Sequence, residues 1–594
     1  MIRFGVYRGK PKHSNMQRTF VFFGLFLVSS GLTPASPQGG EAISTGFTEI
    51  TKEVGLDFLH EPGAEGKFVL PEINGAGAAF LDFDNDGDLD IFLVQSGSLS
   101  VSKTKKHLTN QLFRQNADGS FTDVTSTSGL EDTGYGTGVA VGDIDNDGLV
   151  DIYVGNYGTD VLFHNNGGGR FTNITDRAGI VAGSWTSSVA LCDYDLDGYL
   201  DIYVTSYVRH DSTKSCVRDD GAPDYCSPQS FAYDPDVLYR NNGDGSFTDA
   251  SERSGIGRVK APGLGVLCAD LTADRLPDFY VANDGEANFL WENAGDGTFE
   301  DQAILMGSAV NSFGRPEASM GVALGDIEGD GDLDLFMTHL ENQTNTLYLN
   351  DGSFGFDDIT AARGLGASSL KFTGFGTAFF DFDHDGDLDI VIANGRVAWA
   401  NPLAGAEVSE YWNAYAEPNF ILENDGAGKF AVVSSRSGAF GRHIEVSRAL
   451  ALGDVDSDGD LDILVTNTGG PARLFRNDTR KKGNWLMVRT LDKERKRDAH
   501  GALVTVTAGG KRYVRLAHPT YSYLSSNDAR AHFGIADAAD FESILVRWPD
   551  GTEEHFAGGA LGRVVTVDKG GGTPARDDSG TYIQRLPVSH RVSR

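Results

Sequence analysis

Cysteine, methionine and tryptophan are scarce in this sequence, at 4, 6 and 6 of 594 residues. Four thiols with no Cys-x-x-Cys pair and no matching histidine pair exclude a zinc-ribbon or zinc-finger centre. Basic residues are short as well, 50 against 84 acidic ones, for a net charge of −34. A general nucleic-acid binder carries a basic face, so this balance argues against one. Long apolar runs are missing after residue 32. The catalytic signatures G-x-S-x-G and H-E-x-x-H and the phosphate loop are absent too.

What is abundant is aspartate and glycine. Asp makes up 61 of the 84 acids, and Gly is 75 of 594 residues. Asp competes with the helical backbone and suits turns, so the excess points to many turns and many oxygen ligands. Hydrophobic residues at 40% are enough for real cores.

The first 35 residues read as a signal peptide. Arg3, Arg8, Lys10, Lys12 and Arg18 precede an apolar run at 20–32, and Thr33-Pro34-Ala35 offers small residues for cleavage. About 13 apolar residues are too few for a membrane span, which needs about 20. The expectation is a secreted or extracytoplasmic protein (periplasmic, cell-surface or extracellular) with no span after signal removal. Cys216 and Cys226 lie in CVRDDGAPDYC and are expected to form a local disulfide. Cys192 and Cys268 sit in strand-like runs and read as small buried hydrophobes.

One pattern, D-x-D-x-D-G-x-x-D, occurs seven times, starting at 82, 143, 193, 270, 326, 381 and 454. Each copy precedes a short β-branched run, such as IFLV, IYVG or ILVT, ended by Gly, Asn or Ser. These are strands, and each acidic loop is the turn between two of them. An L-x-x-N element, then G-x-F-x-D-[VI]-T, follows the loops. Seven long copies of one unit predict a propeller or solenoid. FTEIT at 47–51 precedes the first loop, while the last loop lacks such a strand. An N-terminal strand completing the last blade would join the ends of a ring. The expected fold is all-β: a seven-bladed β-propeller over 45–482, a small β-rich domain over 484–568, and a disordered tail over 570–594.

Carboxylates at positions 1, 3, 5 and 9 of such a turn converge, and an all-oxygen, highly charged donor set selects Ca²⁺. The candidate ligands are Asp82, Asp84, Asp86, Asp88 and Asp90 in the first loop, and Asp143, Asp145, Asp147 and Asp151 in the second. The third offers Asp193, Asp195, Asp197 and Asp201; the fifth Asp326, Glu328, Asp330, Asp332 and Asp334. The sixth offers Asp381, Asp383, Asp385, Asp387 and Asp389; the seventh Asp454, Asp456, Asp458, Asp460 and Asp462. The fourth loop, Asp270 to Asp278, is degenerate, with Thr272 at position 3, Arg275 in place of Gly and Pro277 at position 8. A guanidinium beside it is expected to stand in for the ion. About six structural calcium ions are therefore expected.

These loops, with the L-x-x-N and G-x-F elements, resemble FG-GAP (VCBS) repeats of the integrin α-chain propeller type, which implies calcium in the equivalent loops. Residues 484–568 resemble the ASPIC/UnbV domain in NWLMVRTL, RAHFGI and SILVRWPDGTEEHF. The combination resembles the cartilage-acidic-protein-like and UnbV-like proteins. Asn394-Gly395-Arg396 stands where that family has NGH, and TYSYLSS at 520–526 where it has a Gly-rich segment.

His384, at position 4 of its loop, reads as solvated. Trp399, Tyr411, Trp412 and Tyr415 either line a binding surface or pack on their own blade. The basic stretches at 480–482 and 493–497 read as a solvated linker facing the acidic repeats, or as a polyanion contact. The functional expectation is a non-enzymatic binding or adhesion module, monomeric, whose partner is an extracellular protein or glycan. The alternatives are an enzyme with a pocket at the central channel and a scaffold docking through its C-terminal domain.

Overall fold

The computed structural model describes residues 46–575 apart from 98, 100–107, 182 and 434–436. The segment read as a signal peptide, with the rest of 1–45, and residues 576–594 lie outside the described residues.

Seven four-stranded antiparallel sheets follow one another along the chain, each built like a propeller blade. The first joins Ala78–Leu81, Asp90–Leu93, Gln111–Gln115 and Phe121–Asp123. The innermost strands are small and apolar, as in TSSVALC or SRALALG, because both of their faces are buried. The last sheet takes Ser447–Gly453, Asp462–Asn467 and Arg473–Asn477 from the seventh repeat. Its fourth strand is Phe47–Glu49, paired as Phe47↔Asn477 and Glu49↔Phe475. The N-terminal strand thus removes a sheet edge that would otherwise stand open. Apolar clusters lie between successive sheets, and Phe80, Ile91, Ala451 and Leu464 pack the last sheet against the first.

The L-x-x-N element has a structural job. In five of the seven sheets the Asn side chain at the end of the third strand donates to the carbonyl at loop position 2 of the preceding sheet. Asn165 reaches Phe83 O at 2.9 Å, Asn241 reaches Ile144 O at 2.8 Å, Asn293 reaches Tyr194 O at 2.9 Å and Asn477 reaches Phe382 O at 3.0 Å. In the first sheet Gln115 takes this place and donates to Val455 O of the seventh at 2.6 Å. These amides staple neighbouring sheets through otherwise unpaired backbone acceptors.

The C-terminal domain has two sheets. Trp485–Asp492 pairs with Ala531–Gly534 and, in parallel, with Arg563–Asp568. The other sheet runs from Lys511–Ala517 through Ala502–Ala508, Asp540–Arg547 and Glu553–Ala560 to Thr573–Pro574. That last strand corrects the expected boundary: Thr573 and Pro574 are ordered against His555 and Glu554, so the domain runs past 568.

This domain is not a separate appendage. It covers the loop side of the sheets. Its segment at 519–528 enters the space enclosed by the innermost strands. Ser522 exchanges backbone hydrogen bonds with Val322 at 2.7 and 3.0 Å. Val139 donates to Leu524 O, Phe80 to Ser526 O, and Leu452 to Asn527 Oδ1. Thr377 N donates to Ser522 Oγ, and Ser188 Oγ accepts from Leu524 N. Six of the seven sheets are therefore hydrogen-bonded to this one segment. Tyr523, fully buried at its tip, packs on Phe375 and donates to Asn74 O at 3.2 Å.

The opposite mouth is closed by insertions. Residues from 207–236 and 395–418 join Leu70, Trp185, Met320 and Tyr523 in one apolar cluster. The Cys216–Cys226 disulfide ties the first of these insertions. Trp412 and Tyr415 are buried there, Tyr415 donating to Asp224 Oδ1 at 3.0 Å across 191 residues of sequence. The second insertion thus packs across the ring rather than on its own sheet; of its aromatics Trp399 is 43% exposed, Tyr411 half-buried, and Trp412 and Tyr415 buried.

Candidate metal centres

Each acidic loop repeats one backbone. Position 4 is left-handed in all seven (Asn85 φ 59°, Asn146 φ 61°, His384 φ 60°, for instance), and so is position 6 (Gly87 φ 96°, Gly459 φ 92°). Only glycine takes the second of these without strain, which explains the Asp-Gly pair. The carboxylate at position 1 is fixed by the turn: Asp82 accepts from Asp86 N and Gly87 N at 3.1 Å each, and Asp381 from Asp385 N and Gly386 N at 3.2 and 2.8 Å.

Positions 1, 3 and 5 converge. In the first, second, third and sixth loops the three carboxylates offer oxygens that all lie within 4.8 Å of one another. Two oxygens on opposite sides of a Ca²⁺ ion stand about 4.6–5.2 Å apart, so the spacing fits. Asp84 Oδ1, Asp145 Oδ1 and Asp193 Oδ1 are buried and have no hydrogen-bond partner. A buried orphan acceptor is costly unless something cationic meets it. The donor set and these orphan oxygens fit a hard divalent cation such as Ca²⁺.

Position 9 is different from the expectation that it simply adds a ligand. Asp90, Asp151, Asp201, Asp334 and Asp462 open the second strands and are at most 2% exposed. Each receives two backbone N–H groups. Asp90 takes Phe83 N at 3.1 Å and Gln115 N at 2.8 Å; Asp462 takes Val455 N at 3.1 Å and Asn477 N at 2.7 Å. The carboxylate locks the loop to the third strand, leaving its second lone pairs for an ion. Burial pushes Asp90 and Asp334 up to about 8, Asp193, Asp381 and Asp454 to about 7, and Asp143 to about 6. A bound cation would reverse that shift.

Cationic side chains already lean on several loops. Arg240 contacts Asp195 at 2.6 Å and Asp197 at 2.5 Å, and Lys482 contacts Asp385 at 2.7 Å. Glu328, the long-armed residue of the fifth loop, pairs with Arg363 at 2.5 Å. At position 7, Asp460 pairs with Lys481 at 2.8 Å and lies 3.2 Å from His384. His384 is 1% exposed, packed against His532 of the C-terminal domain, so the solvated reading is corrected.

The basic stretch at 493–497 faces the loops. Arg495 Nε donates to Gly198 O at 2.9 Å and Arg497 Nε to Asn146 Oδ1 at 2.9 Å. Glycine at position 6 serves this docking too: a Cβ at Gly198 would run into Arg495, and one at Gly459 into Trp485. Between the first two loops and the C-terminal domain lies a cleft of ≈ 360 Å³ that includes Asp82, Asp143, Arg489 and Arg530.

Cys192 and Cys268 are buried, as read, but they are disulfide-bonded to each other rather than simply small hydrophobes. Each lies one or two residues before an acidic loop of adjacent repeats, and that equivalence was the available signal. Among the described residues, two Ser–His contacts resemble catalytic pairs: Ser319 Oγ with His339 Nε2 at 3.1 Å, and Ser96 Oγ with His60 Nε2 at 2.9 Å. All four residues are at most 3% exposed, so no substrate reaches them in this structure.

The FG-GAP-like repeat model matches residues 82–154, 143–204, 270–337 and 329–392, and the FG-GAP repeat model matches 447–481. The ASPIC and UnbV model matches 492–574. Cartilage acidic protein 1 from Homo sapiens is 28% identical over 350 residues, covering 56% of this chain and 48% of that protein. The Mus musculus protein is 28% identical over 332 residues, covering 54% and 46%. The chain spans about half the length of the curated relatives it matches. Among solved structures, the BP39L lectin from Burkholderia pseudomallei aligns with a TM-score of 0.39 at 12% identity, covering 69% of this chain and 98% of that one. An Agrocybe aegerita protein described as recognising non-reducing terminal N-acetylglucosamine aligns with a TM-score of 0.36 at 16% identity, covering 67% and 87%. This chain carries FG-GAP-like repeats followed by a C-terminal ASPIC and UnbV domain, and is a distant homologue of cartilage acidic protein 1.

Proposed function

We propose that the seven sheets form a closed β-propeller braced by calcium in six of its loops, and that the protein is an exported binding or adhesion module. The observation that carries the reading is the recurrence of converging carboxylates with buried orphan oxygens at one place in successive sheets. Asp82, Asp84 and Asp86 would hold the first ion, with the corresponding triads in the second, third and sixth loops. The ion would supply charge neutralisation and a cross-link within the turn. Two disulfides suit an oxidising, extracytoplasmic compartment. Among the described residues no helix is long and apolar enough to cross a membrane.

The partner in this reading is an extracellular protein or glycan, and what supports a binding face is the surface left exposed. The loop side is occupied by the C-terminal domain and the channel by 519–528. This leaves the insertion side, where Trp399 is exposed beneath the Arg218 guanidinium at 4.1 Å. Thermal unfolding after dialysis into calcium-free buffer, then with calcium restored, tests the brace. A melting temperature that does not rise on adding calcium would sink it.

A further inference from the structure

The fourth loop keeps the shape of the others without their ligands. Ala273 (φ 59°) and Arg275 (φ 75°) repeat the two left-handed positions. Leu276 N donates to Asp274 Oδ1 at 2.8 Å, as the position-7 amide does elsewhere, and Asp278 accepts from Leu271 N and Asn293 N. Thr272, at position 3, turns its hydroxyl inward to Asp278 Oδ2 at 3.2 Å and offers no third carboxylate.

Asp270 still stands at position 1, with its side chain 13% exposed. A guanidinium does meet it, though not the expected Arg275. Arg547 of the C-terminal domain places Nη2 3.0 Å from Asp270 Oδ2. Arg275 instead reaches out to Glu553 of the same domain at 3.5 Å. The two ion pairs cross, each donating a cation in the opposite direction. Arg275 holds a left-handed position that favours glycine, and the Glu553 contact is what it gains there.

We propose that Arg547 is the cation of the fourth loop: a side chain of the C-terminal domain takes the place that a metal ion takes in its sister loops, and so latches that domain onto the ring. The latch rests on the calcium reading for those sister loops only, since the guanidinium acts with or without metal. The Cys192–Cys268 disulfide joins the third and fourth sheets beside it, so this sector is held by a covalent bond and ion pairs.

The test rebuilds the loop. Thr272→Asp with Arg275→Gly restores the ligand pattern, and bound calcium per chain is counted by equilibrium dialysis and elemental analysis. With Arg547 retained the count should equal that of the wild type; adding Arg547→Gln should raise it by one ion per chain. An extra ion bound while Arg547 is present overturns the proposal, as does no extra ion in a folded triple variant. In calcium-free buffer, Arg547→Gln should lower the melting temperature by several degrees and Arg547→Lys by less. Equal losses would mean that the charge is not what acts. Should the wild type bind no calcium at all, the calcium reading fails, while this second pair of variants still decides the latch.

Discussion

The two mouths of the ring are closed by different physics. On the loop side the closure is electrostatic. Carboxylates converge in the first, second, third and sixth turns, and arginines of the C-terminal domain come down on the loops: Arg495 on Gly198 O, Arg497 on Asn146 Oδ1 and Arg547 on the Asp270 carboxylate. On the insertion side the closure is aromatic: Trp185, Tyr207, Trp412 and Tyr415 are buried together, with hydroxyls tied to carboxylates such as Asp224 and Asp284. The first depends on cations, its own or bound, and the second on apolar burial. Tyr523 links them, since it belongs to the loop-side domain yet is buried in the aromatic cluster.

The largest way to break this pairing is Tyr523→Ala. Losing a fully buried aromatic at the tip should cost about 3–5 kcal/mol, and denaturant unfolding should show one lowered transition. Separate transitions for ring and C-terminal domain in the wild type would contradict the coupling.

The next separates the two mouths by pH. Burial first, and neighbouring carboxylates after it, hold Asp90 and Asp334 near 8 and Asp381 near 7, against an ordinary value of 3.8. A raised folded pKa gives stability that is full below the unfolded pKa and is lost as pH rises through the folded one. Calcium-free protein should therefore lose several degrees of melting temperature between about pH 5 and pH 8, and calcium should abolish the slope. Parallel curves with and without calcium would mean that the loops are not where the charge is felt.

A smaller effect should follow from Asn165→Ala, which removes the amide bonds to Phe83 O and Val150 O. Two buried carbonyls left unmet should cost about 1–3 kcal/mol, on either side of the calcium transition alike. The smallest stability effect should be that of Trp399→Ala, within about 0.5 kcal/mol. If partner capture on cells or glycan surfaces survives that change unweakened, the insertion side is not the binding face.

The sheets were legible because each repeat carries its own turn chemistry, a local signal that one residue span contains. The pairing of Phe47–Glu49 with the last sheet was legible too, by counting strands at the two ends. The channel segment was not. TYSYLSS is short, polar and without strand periodicity, and its partners lie up to 450 residues away. Its hydroxyls and backbone make sense only against the innermost strands. The convergence of positions 1, 3 and 5 could be read from spacing, whereas the lock made by position 9 could not. Asp90 and Asp84 look alike in sequence, and only burial and the Gln115 amide tell them apart.

The channel segment also sets an order on how the molecule comes into being. The strand at 47–49 waits for 473–477, and the innermost strands wait for 519–528 to satisfy their backbone groups. Nearly the full chain must have left the ribosome, or crossed a membrane, before either condition is met. Contacts of such long sequence separation are slow to form. A product that stops short of residue 473 leaves the last sheet without its third and fourth strands, and one that stops between 478 and 519 leaves the innermost strands without their backbone partners. The segment at 519–528 thus acts as a late check on the assembly of all that precedes it.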